Sequence, residues 1–381
     1  MIFKGQNVKL SSLKKRGRLK IWEWSSRLEE RLHELHYLFW EATLECNLRC
    51  LHCGSECQPR RQADDSLTQE EVLETFRTIS QDYDVDRLTI AITGGEPLVR
   101  SDFFEITAGL RQMGFVWGMV TNGTLVTREI ADRCKATGME TVAVSLDGLE
   151  ETHDWLRGQG TFSKAIEAVE IFTKSGDFST VQITSCITPR SLDELEALHR
   201  LCVDLHVDEW RVLTIAPMGR ASHHPELFLD GGQLRKLMSF LQECRKKGPS
   251  KPKVFYAEEG FLGVEFEGEV RDLLYRCFAG VNIGGILYNG DIAACPNLPR
   301  HLAQGNVRKE RFSDVWENKY RIFRDRRWSK TGTCRKCEWW GLCRGNSLHL
   351  WDWGKMAPRM CHYRMLQDTV SSLSSEVGKS Y

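Results

Sequence analysis

Tyr37-Leu-Phe-Trp-Glu-Ala-Thr-Leu-Glu-Cys46-Asn-Leu-Arg-Cys50-Leu-His-Cys53 sets a short apolar stretch directly against three cysteines. Tyr37–Ala42 reads as a strand, and no further element fits between it and Cys46. The rest of the chain repeats this plan of strand, polar loop and helix. Short apolar runs recur at Leu88–Ile92, Val116–Val120, Thr141–Ser145, Val181–Cys186 and Arg211–Ile215, separated by amphipathic helical patterns. Thr68 and Glu71 form a capping box ahead of Val72, Leu73, Phe76 and Ile79, and Ser191 with Glu194 repeats it. Gly138 and Gly176 stand where helices should end. Six strand–helix units predict a parallel sheet with right-handed crossovers. Six are too few to close an eightfold barrel. The expected fold is therefore α/β, an open partial (β/α)6 barrel of TIM type.

After Arg220 the alternation stops. A helix near Gln233–Cys244 leads into a basic linker, Lys246–Lys253, and then into a region rich in Cys, Trp and Gly with little periodicity. The expected division is a basic N-terminal arm and helix over 1–36, the barrel over 37–255, a small Cys-rich domain over 256–366 and a tail over 367–381. Residues 1–20 hold seven Lys or Arg and no acid, which reads first as a solvated arm and second as a contact for an acidic partner or membrane surface. Trp22–His36 reads as an amphipathic helix.

The 381 residues carry no formal net charge, so no bulk attraction to nucleic acid or to an anionic membrane is expected. No run of about 18 apolar residues exists, and the N-terminus lacks a secretory core; a cytoplasmic location is expected. Disulfides do not persist there, so the clusters among the 14 cysteines point to metal or redox chemistry. Cys134, Cys186, Cys202 and Cys244 are scattered and read as small buried hydrophobes.

Cys46, Cys50 and Cys53 offer three thiolates from one loop, enough to hold three irons of a [4Fe–4S] cluster and leave the fourth iron open. A structural zinc site with Cys57 as fourth ligand is the other reading of this spacing. The remaining strand ends favour the cluster. Thr93-Gly94-Gly95-Glu96-Pro97 gives a ligand room to approach the backbone and a carboxylate to receive an ammonium group. Thr121-Asn122-Gly123, Ser145-Leu146-Asp147-Gly148 and Pro217-Met218-Gly219-Arg220 end other strands, and Arg157 suits a carboxylate. Together they outline a site for a zwitterion.

Through the three-cysteine loop, the Gly-Gly-Glu-Pro segment and the order of strand ends, residues 37–220 resemble the radical S-adenosylmethionine superfamily. The resemblance implies reductive cleavage of S-adenosylmethionine to a 5′-deoxyadenosyl radical, with flavodoxin or ferredoxin as reductant. It implies that Cys46, Cys50 and Cys53 bind the cluster, and that Gly94, Gly95 and Glu96 hold the methionyl amino group. Ser145 would contact the ribose, Arg157 the methionyl carboxylate, and the backbone of His52 the adenine. The general acid or base is not legible.

A second constellation comprises Cys277, Gly290, Cys295, Cys334, Cys337, Cys343 and Cys361. Cys334 and Cys337 alone are compatible with a zinc knuckle. The full spacing resembles the SPASM and twitch extensions of peptide-modifying radical enzymes, which carry auxiliary iron–sulfur clusters. Ser347 and Ile283 stand where that pattern usually has cysteines. The expected outcome is one auxiliary [4Fe–4S] cluster on Cys334, Cys337, Cys343 and Cys361, with Cys277 and Cys295 supplying half of a second site. Pro296 stands where sulfatase-maturing relatives place an aspartate base, so formylglycine formation is not expected. The segment before the first strand is too short for a winged-helix module, so a leader-dependent peptide would need a separate protein or the basic arm. Trp339, Trp340, Trp351 and Trp353 read as packing around a cofactor, and the arginines from Arg308 to Arg327 as a solvated face before a peptide-docking patch. The expected substrate is a peptide or protein, with a small molecule of cofactor biosynthesis as the alternative and a noncatalytic zinc ribbon as the rival outside enzymes. No nucleic acid or membrane contact is expected.

Overall fold

Each of the six apolar runs becomes a strand in the computed structural model, which describes residues 3–60, 65–248, 251–257 and 259–368. They are β1 (Tyr37–Thr43), β2 (Thr89–Gly94), β3 (Val116–Thr121), β4 (Met139–Ser145), β5 (Thr180–Ile187) and β6 (Glu209–Thr214). They pair in chain order, all parallel. All their C-terminal ends therefore lie along one edge of the sheet. The helices between them are α2 (Gln69–Asp82), α3 (Phe103–Gln112), α4 (Arg128–Ala136), α5 (Glu150–Arg157), α6 (Thr161–Ser175) and α7 (Leu195–Asp204). Phe76, Ile79, Phe103, Ile106 and Leu110 from α2 and α3 share one core with Trp40, Ile90, Ile92 and Trp117 of the strands. Burying such side chains is the main favourable term in the fold.

The sheet runs further than six strands. After α8 (Gly231–Lys246), β7 (Lys253–Tyr256) pairs parallel with β6, so the boundary expected near residue 255 falls inside a strand. From the Cys-rich region, β8 (Ile283–Ile286) pairs parallel with the free side of β1. β9 (Asp291–Ala293) and β10 (Gly305–Asn306) then extend that edge antiparallel, giving ten strands in the order β10-β9-β8-β1-β2-β3-β4-β5-β6-β7. Runs of two to four residues are too short for any period to show, which is why the sequence left this region irregular. The glycines of β8 serve packing: a Cβ on Gly284 would collide with Phe312.

The capping box at Thr68 forms as expected, with Thr68 Oγ1 accepting from Glu71 N and Glu71 Oε2 from Thr68 N. The one expected at Ser191 and Glu194 does not. Ser191 Oγ bonds Thr188, and the Glu194 carboxylate accepts instead from Leu149 N and Thr152 Oγ1 at the start of α5. A neighbouring helix N-terminus with unsatisfied N–H groups competes successfully for that acid. Gly138 and Gly176 follow α4 and α6 with φ of +94° and +67°, as helix-ending glycines should.

The N-terminal helix α1 spans Phe3–Leu32, beginning earlier and ending earlier than the Trp22–His36 pattern indicated. The arm is not simply solvated. Leu19 is buried with Phe261, Tyr275 and Leu342, Lys15 pairs with Glu269, and Trp22 Nε1 donates to Tyr275 O. No described helix is long and apolar enough to cross a membrane. The expected tail over 367–381 lies almost wholly outside the described residues.

β1 lies between β2 and β8, and it carries an acid inward. Glu41 is fully buried and takes both arms of Arg300, Nη1 at 2.8 Å and Nη2 at 2.7 Å. This bidentate pair ties the central strand to the Cys-rich region. Arg300→Ala should leave a buried carboxylate without its counter-charge and lower the unfolding free energy by about 3 kcal/mol, at the low end for such a loss because Arg300 is partly exposed. Anaerobic thermal unfolding measures it, and an unchanged midpoint would show that the pair does not join the two parts.

Candidate active site

The cysteine loop leaves β1 and is held closed by a bridge between Glu45 and Gln58, with Cys46 N donating to Gln58 O. Two neighbouring strand ends grip it. From β2, Gly95 N donates to Thr43 O at 2.7 Å and Glu96 N to Glu45 O at 3.0 Å. A Cβ on Gly95 would overlap the Glu45 carbonyl, and one on Gly94 the Thr43 carbonyl. The room made by these glycines is thus occupied by the loop's own backbone, where the sequence reading had given it to a ligand. From beyond β6, Arg220 donates three times, through N to Cys53 O (3.1 Å), Nε to Cys50 O (2.9 Å) and Nη2 to Cys57 O (2.8 Å). Gly219, at φ +51°, lets that turn lie against Cys53 and Gly54.

Within the loop the thiols feel one another. Burial, with Glu96, Cys50 and Cys53 adding to it, pushes the Cys46 thiol up to about 12. Two N–H groups nonetheless point at Cys46 Sγ, from Leu48 N (3.4 Å) and Asn122 Nδ2 (3.8 Å). Hydrogen bonds to sulfur are a normal feature of iron–sulfur ligands. Cys57 is buried beside Cys53, and their thiols hydrogen-bond. Among the described residues, the one group of three donor atoms within 4.8 Å of each other is His52, Asp147 and Cys186. The loop cysteines stand wider apart than a tetrahedral zinc ion would draw them, and so fit a larger cluster better.

That trio has a cation of its own. Arg157 Nε donates to Asp147 Oδ2 at 2.5 Å, and its Nη2 lies 3.4 Å from His52 Nε2. Asp147 also accepts from Cys186 N at 2.9 Å. Burial works most strongly against the Asp147 charge, but Arg157, with His52 and His153 adding to it, holds the carboxyl at about 2. Burial brings His52 down to about 4, against the pull of Asp147, so its ring is neutral at pH 7. Arg157 is therefore an oriented guanidinium beside Cys50. The His52 side chain packs into this ion pair, and its Nδ1 has no hydrogen-bond partner among the described residues.

Glu96 is fully buried, accepting from Thr121 Oγ1 (2.8 Å) and Asn122 N (2.8 Å). Burial raises its carboxyl to about 7, although these donors oppose the shift. It links the ends of β2 and β3, a role with no sequence signal. Ser145 is buried at the end of β4, opposite Thr184 of β5.

In the second constellation, Cys334, Cys337, Cys343 and Cys361 line a single cavity of about 380 Å³. Four thiols around one space are the donor set a [4Fe–4S] cluster requires. Trp339 and Trp340 form part of its wall, while Trp351 and Trp353 pack against Trp328 away from it. Ser347 and Ile283 have other work: Ser347 Oγ bonds Gly260 N and Tyr275 OH, and Ile283 opens β8. Cys277 lies near Cys295, whose thiol is raised to about 12 by burial first and then by Cys277 and Glu41.

A cavity of about 330 Å³ separates the cysteine loop from the Cys-rich region, bounded by Ser55, Met218, Tyr288, Pro296 and His349. His349 sits in an aperiodic stretch and has no signal in the sequence. Its Nε2 lies 4.0 Å from Glu259 Oε1, and burial holds its ring neutral, at about 4. Glu259 is itself fixed by Thr214 N, Thr214 Oγ1 and Tyr256 OH. Burial therefore disfavours the charged form of the His349 ring, which borders the cavity as a neutral polar group.

Two family models match the chain, the Radical SAM superfamily over residues 40–202 and the SPASM iron–sulfur cluster-binding domain over residues 277–338. Mycofactocin maturase MftC of Mycobacterium tuberculosis is 30% identical over 321 residues, spanning 82% of this chain and 78% of that protein. The AdoMet-dependent heme synthase of Methanosarcina barkeri is 29% identical over 322 residues, spanning 80% and 89%. Among solved structures, anSMEcpe with bound AdoMet matches with a TM-score of 0.68 at 20% identity, over 88% of this chain and 95% of that one. Streptococcus suis SuiB bound to S-adenosylmethionine matches with a TM-score of 0.65 at 19% identity, over 82% and 72%. These two share the fold.

Gly95→Ala should displace the loop and strip iron from it, because the new methyl has only backbone to push against. Iron analysis and electron paramagnetic resonance should show loss of about four irons, with the Cys-rich domain still loaded; full iron content would show that the loop tolerates the shift. The double substitution Cys277→Ala/Cys295→Ala should retain most of the wild-type iron. Loss of about four irons would reveal a further complete cluster there, and loss of about two a [2Fe–2S] centre.

Proposed function

The chain belongs to the radical S-adenosylmethionine superfamily and carries a SPASM iron–sulfur domain, and from that premise we propose that it modifies a peptide or protein. Its cofactors are a [4Fe–4S] cluster that binds S-adenosylmethionine, S-adenosylmethionine itself, and auxiliary iron–sulfur in the SPASM domain. When bound, they supply a 5′-deoxyadenosyl radical able to take hydrogen from an unactivated carbon, chemistry that belongs to the cofactor rather than to side chains.

In this reading Cys46, Cys50 and Cys53 hold the first cluster, and Arg220 fixes the loop through three carbonyls. Gly94, Gly95 and Glu96 meet the methionyl amino group through their backbone, because the Glu96 carboxylate is engaged by Thr121 and Asn122. Arg157, oriented by Asp147, offers its remaining N–H groups to the methionyl carboxylate. Ser145 and the His52 backbone border the nucleoside. Cys334, Cys337, Cys343 and Cys361 hold the auxiliary cluster. The cavity between the two parts receives the substrate, and His349 lines it as a neutral polar group. Pro296 lines the same cavity and has no proton-accepting side chain.

The observation that carries the peptide reading is the 30% identity to a mycofactocin maturase over 82% of this chain. The likeness to heme synthases, 29% identical over 80%, favours a second reading, an iron tetrapyrrole or other small molecule as substrate. Candidate precursor peptides, drawn from short reading frames beside the gene, and an iron tetrapyrrole should be offered in parallel to anaerobically reconstituted protein. The expected result is a peptide mass change together with substrate-stimulated 5′-deoxyadenosine release. Conversion of the tetrapyrrole with no peptide modified would overturn the peptide reading. Cys50→Ala should abolish 5′-deoxyadenosine release in every case while the auxiliary cluster remains. Release at the wild-type rate would refute the assignment of the loop.

A further inference from the structure

A wide concavity lies away from the cysteine loop. It is a groove of about 790 Å³ between the last turns of α1 and the segment from Glu317 to Arg344. Six arginines line it: Arg27 and Arg31 from α1, and Arg321, Arg324, Arg327 and Arg344 from the Cys-rich region. Three acids are present, and each is already engaged, Glu30 with Arg344, Glu317 with His33, and Asp325 with Arg327. Arg31 and Arg321 make no side-chain ion pair or hydrogen bond among the described residues. Arg324 donates to Gly280 O, yet its Nη2 is buried without a partner. The groove therefore keeps uncompensated positive charge although the whole chain is formally neutral.

An apolar stripe runs beside it. Ile21, Trp24, Leu28 and Leu32 are 69%, 69%, 44% and 56% exposed. Their spacing of three, four and four residues puts them on one side of α1. Arg27 and Arg31 each precede a member of the stripe and line the groove, so they form the flank between the apolar and the cationic surfaces. A contiguous exposed apolar strip of this kind marks an interaction surface more often than it marks nothing.

We propose that the groove and stripe together dock an acidic, amphipathic peptide segment, its apolar side on Trp24, Leu28 and Leu32 and its carboxylates on Arg31 and Arg321. This deepens the peptide reading and rests on it. The shape argues against a bilayer, because a flat surface cannot enter a groove. The interspersed acids argue against a nucleic acid, because a continuous phosphate chain would meet Glu30, Glu317 and Asp325 in turn. Spaced carboxylates avoid that repulsion and can pair bidentately with guanidinium groups. Trp340 forms a wall of both the groove and the four-cysteine cavity, so a docked segment lies directly beside the SPASM site.

The test uses the full, iron-loaded chain and a short fluorescein-labelled peptide with Glu and Leu at helical spacing, read by fluorescence anisotropy. Wild type should bind this peptide, and not its Lys-for-Glu counterpart, with an affinity that falls as salt rises. Arg31→Glu/Arg321→Glu should weaken binding by about tenfold or more, with iron content and substrate-free 5′-deoxyadenosine release unchanged. Arg31→Gln/Arg321→Gln, which removes charge without reversing it, should weaken binding by less and keeps the test valid if the reversal misfolds. Equal affinity in wild type and both variants would overturn the proposal. So would arginine-dependent binding of phosphatidylserine vesicles or single-stranded DNA with none of the acidic peptide. Arginine-dependent peptide binding without modification of any peptide would count against the substrate reading alone, whereas peptide modification that ignores these arginines would count against the groove alone.

Discussion

Everything at the candidate active site depends on backbone packed directly on backbone. The end of β2 passes so close to the cysteine loop that only glycine fits at positions 94 and 95. The loop is irregular, and among the described residues one bridge, between Glu45 and Gln58, is all it has of a ladder of its own. It is fixed by hydrogen bonds from neighbours on both sides, Gly95 and Glu96 from one and Arg220 from the other. Thiols held this way need no local helix or strand to keep their positions.

The same logic governs the charges. Asp147 and Arg157 are largely buried, and each would be costly alone. Together they satisfy one another, take a backbone N–H from Cys186, and leave part of a guanidinium turned toward Cys50. Glu41 and Arg300 repeat the arrangement between the central strand and the Cys-rich region. In both pairs the burial that makes separation expensive also makes the geometry specific. The two iron–sulfur regions are thereby held in one frame, and β8, lying along β1, makes that frame continuous.

The buried acids around the candidate site differ in their partners. Asp147 has a cation and stays ionised, while Glu96 and Glu259 have neutral donors and are pushed toward protonation by burial. His349 and His52 are kept neutral by burial in the same way. A site with one fixed ion pair and several neutral polar groups suits a zwitterionic ligand. Excess positive charge gathers in the arginine groove, where solvent lowers its cost.

The sequence by itself determined the parallel core and singled out the candidate ligands. Six strands were legible because each is long enough, and apolar enough, for its character to show before any partner is known. The three loop cysteines, and the Cys334, Cys337 and Cys343 triplet, were legible because ligand spacing is a local property. Residues whose role comes from a distant neighbour were not. Arg220 showed only as punctuation at a strand end, Glu194 pointed to the wrong helix, and His349 carried no signal at all. The strands β7 to β10 were too short to register against the background, and only pairing with β6 and β1 gives them form. Arg31 and Arg321 lie far apart in the chain, and each alone reads as a solvated side chain. Only the folding of α1 against the Cys-rich region brings them to one groove, because charge convergence is a property of three-dimensional packing and leaves no trace in local order.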